Sequence, residues 1–554
     1  MPAPRFLPEQ PGDTASVENK KVIRSAMKVG GFTLMSRMLG LVRDTLTASA
    51  FGTSAAMSDF VVAFRIPNMF RALFGEGALS SAFVPVFMDT RRKEGDEAAW
   101  LVARKVISLV SVTLTLVVAV AIAITSALGY VPGLVENAPT VLPLTRIMLP
   151  YLLFICVTAL SQAILNSFHR FSLPAFTPSL LNITWIAFVI LICPLFGDTL
   201  NERIYGVAWG VFFAGIVQLA AQVPTLIKVG YRPGFKLDLS DERVTRFLKL
   251  MGPTALGQSV SQINVMVNGI IARWATSWAP ASLFYAERLL YFPQGILATA
   301  LGTVLLPVFS AHIARGDHDQ LRVTLNHSLR TLLFVMAPAS LGLLVLAEPI
   351  TQLVFGFGRF DAVSVSHTAT VLRFYAPGLF VFCLAKVFVP AFYAMHDTKT
   401  PFRVGLFSVG LNFSLNILFT FILPRDWKAA SLAFATVVSE GVYGLTLARR
   451  FHGRMGSPGW DTILQSAGRA LFGAIVMSAA AFGTHGALHL VLAGRVPEKL
   501  SQAISVLSAI GVGAAVYFAV AALMRAPEIG FVKDAVLNRR RAKATSPESA
   551  QNDP

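Results

Sequence analysis

The chain has 554 residues, 54% of them hydrophobic and 14% charged, with a mean hydropathy of +0.62. No single soluble core needs that much apolar sequence, so the composition excludes an ordinary soluble domain and predicts an all-α polytopic membrane protein. The net charge of +17 raises the question of a nucleic-acid partner, which only the distribution of that charge can answer.

Taken in chain order, fourteen apolar stretches reach the ~20 residues that a helix needs to cross ~30 Å of hydrocarbon. They cover 24–51, 59–88, 102–130, 141–167, 175–197, 204–228, 245–276, 281–313, 328–350, 365–395, 401–423, 429–449, 467–490 and 501–524. Residues 1–18 are polar and Pro-rich, and the first apolar run continues as a full span, so no cleavable signal peptide is expected. With the N-terminus in the cytoplasm, Lys and Arg concentrate in the segments on that side, which gives an N-in, C-in topology. The clusters Arg91-Arg92-Lys93 and Arg539-Arg540-Arg541 then face the anionic inner leaflet, and no nucleic-acid partner is expected.

A repeat divides the chain. ALSSAFVPVF at 78–87 returns as ALGTVLLPVF at 300–309, HRFSLPAF at 169 is matched by HDTKTPF at 396, and Asn182 by Asn412. Each copy holds six spans, an even number, so the halves are parallel and related by a pseudo-twofold along the membrane normal. The expected organisation is a cytoplasmic segment 1–23, an N-lobe 24–228, a linker 229–244, a C-lobe 245–449, two further spans in 467–524 and a tail 525–554, basic and then disordered. Such halves leave a central seam, where many secondary transporters bind substrate.

Charges inside the spans mark that seam. Arg43 lies roughly 22 Å along the first helix from Lys28, too deep to reach the surface easily, while Arg37 and Asp44 share a face two turns apart. The second span carries Asp59, Arg65, Arg71 and Glu76, and Pro67 with Gly75-Glu-Gly77 is expected to interrupt its helix. In the repeat, Arg273 closes one span and Glu287-Arg288 opens the next. The arginines outnumber the acids, which points to an anionic ligand. Guanidinium forks stay charged and bind phosphate oxygens bidentately, so a phosphate or diphosphate head group is expected. A single intramembrane arginine is equally compatible with a structural ion pair; six on two equivalent helix pairs favour the anion cavity. Gly206 and Gly210 read as helix packing.

Enzyme signatures are missing. The chain has no Gly-Lys dipeptide and hence no P-loop, no HExxH and no GxSxG. Cys156, Cys193 and Cys383 lie in apolar spans without metal-ligand spacing and read as packing residues.

SRMLGLVRDTLTASAFG, VAFRIPNMFRALFGEGALSSAFVPVF and FYAERLLYFPQGILATALGTVLLPVFS resemble the MurJ (MviN) lipid II flippases of the multidrug/oligosaccharidyl-lipid/polysaccharide exporter superfamily, over essentially the whole chain. The resemblance implies a multi-pass protein of the bacterial inner membrane. Its substrate would be lipid II, the undecaprenyl-diphosphate-linked peptidoglycan precursor, carried from the cytoplasmic to the periplasmic leaflet. It implies that Arg43, Arg71 and Arg273 contact the diphosphate, that Arg37, Glu76 and Arg288 are functionally sensitive, and that 467–524 forms a groove for the lipid tail. It also implies no cofactor, drive by the membrane potential or an ion gradient rather than ATP, function as a monomer, and contact with membrane lipids and the cell-wall synthesis machinery. Two positions depart from the family pattern: Ser58-Asp59, where the acid sits one step late, and Tyr291, where Glu is common. The rival readings are an exporter of another polyprenyl-diphosphate-linked oligosaccharide, a cation-coupled drug exporter of the MATE kind, a membrane scaffold, and a membrane enzyme acting on the same lipid.

Overall fold

A computed structural model describes residues 11–73, 79–131 and 138–530, without the side chains of 11–27, 253–261 and 296–303. Gly75-Glu76-Gly77, expected to help interrupt the second span, and the tail after residue 530, with the basic cluster 539–541, lie outside the described residues. The chain divides into two compact units, Met1–Met266 and Val267–Pro554. All regular structure among the described residues is helical.

The first unit contains α1 (Pro11–Phe51), α2 (Ala55–Phe70), α3 (Leu79–Glu94) and α4 (Asp96–Leu128). It continues with α5 (Val141–Met148), α6 (Tyr151–Ser167), α7 (Ser172–Ala187) and α8 (Leu200–Lys228), and the division falls inside α9 (Glu242–Ala275). The second unit holds α10 (Ala279–Ala314), α11 (His318–Val345), α12 (Ala347–Phe355), α13 (Ala362–Tyr375) and α14 (Gly378–Ala394). It ends with α15 (Lys399–Ile422), α16 (Lys428–Met455), α17 (Trp460–Leu492) and α18 (Glu498–Leu523).

Among the described residues nine helices are long and apolar enough to cross a membrane, or ten if α13 and α14, bent by 47° at their break, count as one span. The expected spans outside that set are 24–51, 59–88, 245–276 and 281–313. These are the first two of each predicted half, and they carry all the proposed intramembrane arginines.

The second span differs from its sequence reading. Pro67 does not interrupt the helix: it sits buried inside α2, which runs on to Phe70. A proline costs one backbone bond in a helix interior, and here the helix carries that loss within a packed unit. The regular helix gives way instead to a π-helical turn at 71–73, where Arg71 sits, and α3 begins at Leu79.

Close packing explains the glycines of α8. A Cβ at Gly206 would lie 2.8 Å from Cys193 Cα, and one at Gly210 2.9 Å from Phe188 Cβ. Only glycine lets α8 approach the π-helical and 3-10 turns, Phe188–Ile192 and Cys193–Phe196, that end the α7 span. All three cysteines are free and buried, as packing residues should be.

The connection before α9 is fastened by charge. Buried Lys105 on α4 donates to Asp238 at 2.7 Å and Asp241 at 2.6 Å. Asp241 also accepts from Arg243, which reaches Glu94 at the end of α3 at 2.8 Å. In the second unit, α17 and α18 pack on α11 through Phe334, Ala470, Ala474, Met477 and Tyr517. Below them buried Glu528 accepts from Arg330 at 2.7 Å and Ser466 at 2.8 Å, tying the segment after α18 to α11 and α17.

Candidate functional site

Arg43 is only 8% exposed, and its guanidinium is engaged on every side. Nε and Nη2 donate to Asp44 Oδ1 at 2.9 and 2.6 Å, and Nη1 donates to Asn182 Oδ1 on α7 at 3.0 Å. The face of the guanidinium lies over the Trp185 ring, 4.6 Å from its centroid. The Asn182 amide is fixed in turn, donating from Nδ2 to the Ser36 carbonyl at 2.9 Å. Trp185 Nε1 donates to Thr47 Oγ1 at 3.2 Å, and Thr47 donates to the Arg43 carbonyl at 2.8 Å.

This cluster forms because α1 packs along α7. An arginine about two turns inside the nearest helix end and buried in the packing of α1 is cut off from water, so its charge must be met by a carboxylate, an amide and an aromatic face. The ion pair is between neighbours Arg43 and Asp44, not between Arg37 and Asp44; Arg37 is exposed. The long side chain of Arg43 folds back onto the adjacent carboxylate, which helical phase alone did not reveal.

The other predicted residues have the following contacts, each within its own unit. Arg71 donates from Nε to Asn68 Oδ1 at 3.0 Å, one turn back. Arg65 donates to the Val265 carbonyl on α9. Asp59 is buried at 2% exposure and accepts from Thr140 at 2.6 Å, near the start of α5. In the second unit Arg273 is half-buried in the last turn of α9. Glu287 accepts from Tyr375 at 3.3 Å, and Arg288 lies over the Phe284 ring at 4.5 Å.

Sequence reasoning noticed Asn182 only as the repeat mate of Asn412 and missed Trp185 altogether. An aromatic residue in an apolar span carries no mark of its role. In the repeat, Asn412 and Asn416 are fully buried on α15, and Asn416 donates to Asn268 on α9 at 2.8 Å.

The model of the lipid II flippase MurJ family matches residues 47–496. The chain belongs to the MurJ family. A lipid II flippase MurJ from Burkholderia cenocepacia is 35% identical over 456 residues, covering 79% of this chain and 86% of the relative. A solved lipid II flippase MurJ in an inward closed conformation is similar with a TM-score of 0.70 at 25% identity, covering 90% of this chain and 99% of that one. An inward-facing MATE family transporter of the MOP superfamily shares the fold, with a TM-score of 0.62 at 15% identity, covering 78% of this chain and 98% of that one. Membership in the MurJ family together with the apolar helices makes this a multi-pass membrane protein. The family match begins just after Arg43 and Asp44, so their part in the site rests on the geometry given above.

Proposed function

We propose that the chain is a lipid II flippase that carries the undecaprenyl-diphosphate-linked peptidoglycan precursor from the cytoplasmic to the periplasmic leaflet of the bacterial inner membrane. Family membership supports the substrate and the non-enzymatic transport. The observation that carries the mechanism is the buried Arg43 guanidinium, held inside a membrane helix by a single neighbouring carboxylate oxygen and two α7 side chains.

In this reading fourteen spans run N-in and C-in, arranged as lobes 24–228 and 245–449 joined by the linker 229–244. Residues 467–524 carry the lipid tail, and the chain acts as a monomer. Arg43, Arg71 and Arg273 bind the diphosphate, with Arg37, Asp44, Asp59, Arg65, Glu76, Glu287 and Arg288 supporting the cavity or its gating. Neutralisation of the arginines by substrate permits closure, and alternating access releases the head group outside. No cofactor takes part. The inside-negative potential then draws the emptied positive site back, since one charge moved through 100 mV is worth about 2.3 kcal/mol.

The test is reconstitution in vesicles with lipid II in one leaflet and an imposed potential. Wild type should expose the unchanged lipid to an outside probe, and Arg71→Ala, inserted at equal level, should fall to the protein-free rate. Equal transport by both proteins would remove the arginines from the mechanism; a chemically altered lipid would make the chain an enzyme.

A further inference from the structure

The contacts of Arg43 divide into an edge and a face. Asp44 occupies the Nε and Nη2 edge through one oxygen, the edge that phosphate oxygens also take in bidentate pairing. Trp185 occupies the face. Edge and face contacts do not compete, because the ring quadrupole attracts the cation from above while hydrogen bonds lie in the guanidinium plane. An anion that replaces the carboxylate of Asp44 therefore leaves the stacking in place.

Trp185 is itself held rigidly. It is 1% exposed, and the rings of Phe60 and Phe64 meet it edge-on with centroids at 5.3 and 5.5 Å, both at 85°. The hydrogen bond from Nε1 to Thr47 stops the indole from turning. Thr47 lies one turn along α1 from Arg43 and bonds to its carbonyl, so the ring and the arginine share one support.

We propose that Trp185 is a positioning residue for diphosphate recognition: its ring holds the plane of the Arg43 guanidinium while the Asp44 carboxylate and a substrate phosphate exchange at the edge. The proposal deepens the reading of Arg43 as a diphosphate contact and rests on it. A flexible arginine would have to be ordered anew at each binding event, and the stacked one is already ordered. The ring also favours arginine over lysine at this position, since a compact ammonium has no plane to stack.

The test measures lipid II binding to the full-length protein in nanodiscs for Trp185→Phe, Trp185→Leu, Arg43→Gln and the double variant Trp185→Leu/Arg43→Gln. Trp185→Leu should raise Kd about fivefold and Trp185→Phe about twofold. In the Arg43→Gln background, where no cation remains to be held, Trp185→Leu should change Kd less than twofold. A Trp185→Leu protein that binds like wild type, or whose full effect persists beside Arg43→Gln, would overturn the proposal and leave the ring as core. Should Trp185→Leu fail to fold, Trp185→Phe carries the same comparison at its smaller effect. If Arg43→Gln alone leaves Kd unchanged, the diphosphate reading of Arg43 fails separately.

Discussion

His169 and His396 hold φ angles of 57° and 58°, in the left-handed region that favours glycine. Each ends a helix with the same closure: the N–H of Arg170 reaches Leu165 O at 2.9 Å, and that of Asp397 reaches Phe392 O at 2.9 Å. Both side chains are exposed, so little packing is lost on their removal. His396→Gly is expected to gain about 0.5 kcal/mol, the relief of strain less the added freedom of the unfolded chain, read as a small rise in melting temperature. At Arg43 the balance is the opposite. Asp44→Ala leaves a buried guanidinium without its carboxylate and should cost about 3 kcal/mol in chemical denaturation; a loss under 1 kcal/mol would mean that Asn182 and Trp185 suffice. What the sequence revealed at this scale was charge at depth: Arg43 is too far along an apolar helix to be incidental. The partners were not legible, because Asn182 lies 139 positions away and meets Arg43 only through the packing of α1 on α7.

At the scale of elements, the connection before α9 is the most heavily charged joint. Lys105 pairs with Asp238 and holds its carboxyl down at about 2, and the Arg243 guanidinium beside Asp241 holds that carboxyl lower still, against the effect of burial. Depressed carboxyls contribute stability that is complete above their ordinary range near 4 and vanishes as pH falls through the folded value. Lys105→Met should therefore cost about 3 kcal/mol at pH 6, at the low end for a buried pair because Asp238 keeps some solvent. The gap from wild type should close as pH drops from 4 towards 2, followed by thermal melting; a gap independent of pH would assign the cost to packing. The close approach of α8 gives a second test. Gly210→Ala should destabilise by about 1–3 kcal/mol, because Phe188 must move, whereas Gly468→Ala on α17, with open space around it, should be near neutral. Apolar length made nine spans legible among the described residues, or ten with α13 and α14 counted as one. The expected interruption at Pro67 does not occur, because a proline inside a packed helix can be tolerated, and the Gly75-Glu-Gly77 part of that expectation lies outside the described residues.

Across the whole molecule, the expected spans that carry the arginines, 24–51, 59–88, 245–276 and 281–313, are the first two of each predicted half. The repeat was visible in motifs such as ALSSAFVPVF and ALGTVLLPVF, and the matching turns at His169 and His396 carry the same backbone geometry. What the motifs could not convey is that the two halves differ inside: a charged Arg43 cluster in one and an asparagine ladder around Asn412 and Asn416 in the other. Such a difference suits a transporter that binds a diphosphate mainly through fixed positive charge. The most direct test is to deplete the protein in its own cells and measure which leaflet holds the undecaprenyl-diphosphate precursor, with wild type or Arg71→Ala restored. The account predicts that intact precursor accumulates on the cytoplasmic side and that only wild type relieves it. Precursor whose sidedness is unchanged by depletion, or is restored equally by Arg71→Ala, would contradict it.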